Sequence, residues 1–246
     1  MIPDHYPEVL KEIRESLPKT LNNADSADKD AKGLFTLRVA SKLRNLAVVG
    51  FLVEKDVDLF RSSLAEATSR RIRLIDRFDA GDPISPSLAS MMTYQALFDA
   101  LASNDLEAAT VLSDRMGGRP AVEQEYDRDF EIAIGYALKA ILAADDATAL
   151  ARLDDLERAS AHKDYISFAS YVSVLRAIVL RNSMALEAVF PDLLAGHRCA
   201  SKGRGLFNGG VDEFLCVWGV GLLNLARSRG MAVKIDDPLI PAELLT

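Results

Sequence analysis

Two stretches of the chain carry apolar residues at helical spacing. Phe130, Ile134, Leu138 and Ile141 recur at steps of four, four and three, and Phe168, Val172, Leu175 and Val179 repeat the same stepping. That period lays an apolar stripe along one helix face. The same reading predicts a short helix over residues 7–17 with Val9, Leu10, Ile13 and Leu17 on one face, followed by Pro18. Further helices are predicted over about 34–53 and 56–78. Residues 22–33, polar and rich in Ala, Asp and Lys, are expected to form an exposed loop. Ser85 suits a helix N-cap and Pro86 the first helical position, where its missing N–H costs nothing. Strand signals are scarce: only Met231 to Ile235 alternates, too short and isolated to build a sheet.

A repeat organises these elements. The run Leu97-Phe98-Asp99-Ala100-Leu101-Ala102-Ser103-Asn104-Asp105 matches Leu138 to Asp146 and Leu175 to Ser183, with a weaker copy from Val48 to Asp56. Each is an apolar helix end, a short polar turn, and the start of an Ala- and Leu-rich helix. Asn or Asp at such a turn can accept hydrogen bonds from the free N–H groups that open the second helix. The copies are spaced by 49, 41 and 37 residues, close to the period of helical-hairpin arrays but unequal. The fold expected is therefore all-α: an irregular, tetratricopeptide-like array of helical hairpins forming one bundle. A single domain over 1–246 is expected, with 231–246 as a C-terminal tail.

Composition narrows the function. Ala and Leu are abundant and lose little free energy on entering a helix. The net charge of -7 argues against nucleic acid, which demands a cationic surface, and fits a basic protein partner. Cys199 and Cys216 are too few for a disulfide framework, and with His5, His162 and His197 they form no zinc pattern. No cofactor is implied. The first ten residues lack the basic and apolar regions of a signal peptide, and no apolar stretch is long enough to span a bilayer. A cytoplasmic protein with no membrane partner is expected.

Several constellations have the residue types that chemistry needs. Residues 201–210 form a glycine-rich basic loop, but it lacks the Gly-Lys-Ser/Thr ending of a phosphate-binding loop and follows no strand, so it reads as a mobile surface loop. Asp28, Asp30 and Gly33 begin a calcium-loop pattern that fails at Lys32 and Val39. Arg70, Arg71, Arg73 and Arg77 read as a salt-bridged face with Glu66, Asp76 and Asp79. His162 and His197 read as structural or exposed. The acidic runs around Glu123, Glu125, Asp127 and Asp129, and around Asp145 and Asp146, fit helix capping and solubility. They are also the residues that would dock a basic partner. Gly219 and Gly221 beside Trp218 each cost about 1 kcal/mol in a helix relative to Ala, which close packing of a terminal hairpin would justify.

The C-terminal quarter carries a resemblance. Gly196-His197-Arg198, the glycine-rich loop, Asp212 to Leu222, Ala226-Arg227-Ser228-Arg229-Gly230 and Asp236-Asp237-Pro238-Leu239-Ile240-Pro241 resemble the end of a bacterial polymorphic-toxin immunity family, the one numbered forty-nine. The resemblance covers roughly residues 190–241, with Ala161 to Tyr165 also fitting. It implies an all-helical protein that binds and neutralises a cognate toxin in interbacterial competition, with no catalytic residues to carry over. A helical-repeat adaptor docking other proteins is the alternative. A buried cluster of perturbed carboxylates around His162 or His197 would instead revive an enzyme. A dimer is compatible with the apolar helical surfaces.

Overall fold

The computed structural model describes residues 3–245, so the first two residues of the N-terminal segment and the last of the tail lie outside it. Among the described residues there are eleven α-helices and no strand. They are α1 (Tyr6–Ala24), α2 (Leu34–Glu54), α3 (Val57–Asp79), α4 (Tyr94–Ala102), α5 (Leu106–Arg115), α6 (Pro120–Tyr126), α7 (Asp129–Leu142), α8 (Asp146–Ser160), α9 (Ser170–Val179), α10 (Ser183–Ala200) and α11 (Val217–Ser228). Helices α1, α2 and α3 pack in sequence, α3 bridges to α4 and α5, and α7, α8, α9 and α10 continue the array. None of these helices is long and apolar enough to cross a membrane.

The repeated turns share one backbone device. Lys55, Asn104, Ala144 and Arg181 are the only non-glycine residues with positive φ among those described, at 59°, 63°, 56° and 51°. Each is followed by a side chain that accepts the N–H three residues on: Asp56 from Leu59, Asp105 from Ala108, Asp145 from Thr148 and Asn182 from Ala185. In the last three turns the cap's own N–H reaches back to a carbonyl five residues earlier, Ala100, Ala140 and Ala177. One helix is thereby closed and the next opened within a few residues. The caps stand at 56, 105, 145 and 182, so the match that pairs Leu97 with Leu138 is one residue out of structural register, while that pairing Leu138 with Leu175 is in register.

Several expectations are corrected. Helix α1 does not end before Pro18 but runs through it to Ala24. Pro18 is exposed, so the carbonyl it frees faces water. Seven of the twelve residues 22–33 are exposed, as expected, but 22–24 belong to α1 and three of the twelve face inward. Ala24, Asp30 and Gly33 are buried; Asp30 accepts the N–H groups of Phe35 at 2.7 Å and Thr36 at 3.2 Å, and pairs with Arg77 at 3.0 Å. It therefore caps α2 while tying it to α3. The arginine face keeps Glu66 as a partner but not Asp76 or Asp79. Arg70 holds Glu66 and Asp25, and Arg77 holds Asp30 and Asp82, while Asp76 and Asp79 go to Arg115 and Arg119.

Helix α11 is not a terminal hairpin but the centre of the bundle. Every residue from Val217 to Ala226 is buried. Its glycines make that possible: a Cβ on Gly221 would sit 2.8 Å from the Phe98 carbonyl oxygen and 3.1 Å from Leu101 Cβ of α4. Trp218 stacks on Phe98 at 4.7 Å and is ringed by Tyr94, Phe168, Tyr171 and Phe207. Asn224 donates to the Leu101 carbonyl at 3.1 Å, satisfying one of the orphan acceptors at the end of α4. The chain after α11 packs back on the body. Met231 and Val233 alternate inward, the Lys234 N–H meets Glu187, and the Cys216 N–H meets the Leu239 carbonyl.

Candidate functional site

The residues expected to dock a partner are mostly engaged within the fold. Glu123 is buried and accepts from the Tyr136 hydroxyl at 3.1 Å and the Arg119 N–H at 3.1 Å. Asp127 accepts the N–H groups of Met91 and Met92 at 2.8 and 2.9 Å, opening the turn that leads into α4. Asp145 is a helix cap, and Asp146 pairs with Arg181 at 2.9 Å and Arg229 at 3.0 Å. Only Glu125 and Asp129 point to solvent without such a task. Glu123, Asp127 and Asp145 serve the fold, because short helices and turns leave free N–H groups that a carboxylate satisfies well.

The histidines and the glycine-rich segment also resolve. His162 is exposed beside Asp164. His197 is buried, with Nε2 2.8 Å from the Asp212 carbonyl oxygen and its ring stacked on Phe207 at 4.5 Å. A carbonyl only accepts, so the ring proton sits on Nε2. Burial pushes the His197 pKa below its ordinary value and holds the ring neutral. Residues 201–210 lie mostly at the surface and are anchored by buried Phe207, whose N–H meets the Ala200 carbonyl. Burial pushes the Cys216 thiol up to about 12, which makes it inert.

Two cavities bear on what the chain could bind. The first, of about 290 Å³, contains a charge cluster: Arg44 donates through Nε to Asp99 at 2.9 Å and through Nη1 and Nη2 to Asp212 at 2.8 and 2.7 Å. Burial alone would lower the Arg44 pKa, but Asp99 and Asp212 outweigh it and raise it above its ordinary value. Asp99, the deeper acid, is pushed up by burial against the pull of Arg44. Arg71 lines the same cavity, so two cations face two anions. The cluster is balanced, and its role is to fasten residue 212 and the segment before it to α2 and α4.

The second cavity is an open groove of about 790 Å³. Its wall is aromatic: Phe130 stacks on Tyr165 at 4.5 Å and lies 5.5 Å from Phe168, with Tyr94 alongside. Its lips carry Met92, Tyr126, Ile166 and Leu206, four of the eight large apolar side chains exposed among the described residues. Helix α7 positions the wall because its N-terminus is fixed by Glu131, which accepts the Arg128 N–H at 2.9 Å. Phe130 and Phe168 belong to separate helical stripes, and no local pattern relates their segments. The signal was present in the unmatched apolar residues Met92, Tyr126, Ile166 and Leu206, which fall outside every helical stripe.

No protein-family model, curated protein or solved structure matches this chain.

Proposed function

We propose that this chain is an immunity protein, which binds a cognate protein toxin and neutralises it by covering it, without chemistry of its own. The resemblance of residues 190–241 supplies the biological setting. The observation that carries the reading is the groove between α7 and the 163–168 and 199–206 segments, with its aromatic wall and exposed apolar lips. Apolar side chains clustered at the surface around one depression mark a binding face. Aromatic anchors in such a depression are the usual source of affinity between proteins.

The alternative, a helical-repeat adaptor, draws on the same groove and on the repeated turn device, since arrays of hairpins commonly present a concave docking face. The two readings differ in what the partner does alone. Co-expression with the C-terminal domain encoded immediately upstream separates them. Immunity predicts that this domain arrests growth by itself, that growth returns with this chain, and that the two co-elute. A harmless neighbour, or rescue without a complex, overturns direct neutralisation and leaves the adaptor.

A further inference from the structure

Charge distribution around the groove says what kind of chain fits it. The protein as a whole carries -7, yet the groove collects Arg128, Lys163, Lys202 and Arg204 against Glu131 and Asp164. Elsewhere the arginines are largely consumed by internal acids, as in the Arg70, Arg77, Arg115 and Arg119 pairs. Here Lys163, Lys202 and Arg204 are exposed and form no ion pair among the described residues, and Arg128 meets only the Tyr165 hydroxyl, at 3.3 Å. One of the two acids is already occupied, since Glu131 caps the Arg128 N–H.

We infer that the groove binds an acidic segment of a partner protein, one that places an aromatic or large aliphatic anchor against Phe130 and Tyr165 and its carboxylates against Lys163, Lys202, Arg204 and Arg128. This rests on the binding-protein reading above and reverses the charge expected of the partner's contact surface from composition alone. A small molecule filling the cavity would leave Ile166 and Leu206, 60% and 56% exposed, still in water, whereas a polypeptide lying along the groove covers them. Single-stranded nucleic acid stacks on aromatics and tracks cations, but the aliphatic lips offer it nothing and the net negative charge opposes it. Carboxylates meeting unpaired guanidinium and ammonium groups speed encounter and fix register, while the buried anchor sets the lifetime of the complex.

The test uses the full chain as bait for a random-peptide library displayed on phage, followed by fluorescence anisotropy on the selected peptides. Selected sequences are expected to be net acidic and to share an aromatic or leucine-type anchor. Lys163→Glu/Lys202→Glu/Arg204→Glu is expected to weaken them by at least about tenfold, with raised salt acting in the same direction. Ile166→Ser/Leu206→Ser should also weaken them, while Lys19→Glu/Lys32→Glu, exposed and outside the groove, should change affinity about twofold or less. All these positions are exposed, so folding is not the readout. Selection of basic peptides, failure to select any, or binding indifferent to the groove variants overturns the inference. So does oligothymidylate or a phosphatidylserine vesicle that binds with the same variant dependence while the peptides do not. The groove is tested here without any toxin. A toxin complex that survives the charge reversal defeats the groove but not neutralisation, and a harmless upstream domain defeats neutralisation but not the groove.

Discussion

Arg44 and Asp212 lie 168 residues apart in the chain and meet through two parallel hydrogen bonds of 2.7 and 2.8 Å. Paired this way, a guanidinium and a carboxylate gain geometry as well as charge. Arg44 spends its remaining Nε–H on Asp99, which is 6% exposed. Arg44→Met strands that buried acid and should cost about 3 kcal/mol, read from the urea midpoint. Arg44→Met/Asp99→Leu removes the stranded charge and should recover part of the loss. A double variant no more stable than the single would show that Asp99 carries no burden without Arg44.

Gly219 and Gly221 stand on one buried helix but should answer differently to alanine. The new Cβ at 221 would press on backbone, the Phe98 oxygen at 2.8 Å and the Ala102 nitrogen at 3.3 Å. At 219 it would press on the ends of Cys216 and Ile240, at 2.9 Å each, which can yield. Gly221→Ala is expected to lose about 2 kcal/mol through overpacking. Gly219→Ala should fall within about 1 kcal/mol of the parent, because the gain in helix propensity offsets the squeeze. Equal losses at both positions would contradict this account.

The hairpin turns are open to improvement. Ala144 holds φ at 56° with its side chain exposed, a conformation that costs an L-residue about 1 kcal/mol. Ala144→Gly should raise the unfolding midpoint. Asp145→Ala, which removes the acceptor for Thr148, should lower stability by about 1 kcal/mol. Chemical denaturation of the two variants and the parent reads both signs at once.

Acid should weaken the fold through His197. Its pKa in the fold lies below the ordinary imidazole value of about 6.5, because burial disfavours the cation. The unfolded chain therefore binds the proton more readily, and stability drops as pH falls below that ordinary value. His197→Gln removes the titration. Melting temperatures of parent and variant should diverge less at pH 5.5 than at pH 7.5, with the parent losing more between the two. Parallel profiles would remove His197 from the pH response.

Much of this fold is legible in the sequence because the dominant signals are local. The stripes of α7 and α9 follow from a 3.6-residue period, and the turns at Asp105, Asp145 and Asn182 follow from cap chemistry within a few residues. What escaped was non-local. Pro18 sits inside α1 because its exposed face lets water take the freed carbonyl. Asp30 looked like part of a polar loop because its partners, Thr36 and Arg77, matter only once α2 and α3 are packed. The acids from 123 to 146 could cap helices or dock a partner, and the choice for Asp127 and Asp146 depends on backbone and arginine groups that only the fold brings to them. The groove is assembled from segments near 92, 126, 165 and 204, and no periodicity relates them.

The burial of α11 on all sides also sets an order of events. The slot it fills is walled by α4 and α9, which leave the ribosome first. Until residues 217–228 arrive, Phe98 and Tyr171 have no Trp218 to pack against, and the array holds an apolar cleft where its centre will be. Nascent chains caught at that stage carry an aggregation-prone wall. A reading frame stopped before Val217 would yield an unclosed shell rather than a shorter version of the same protein.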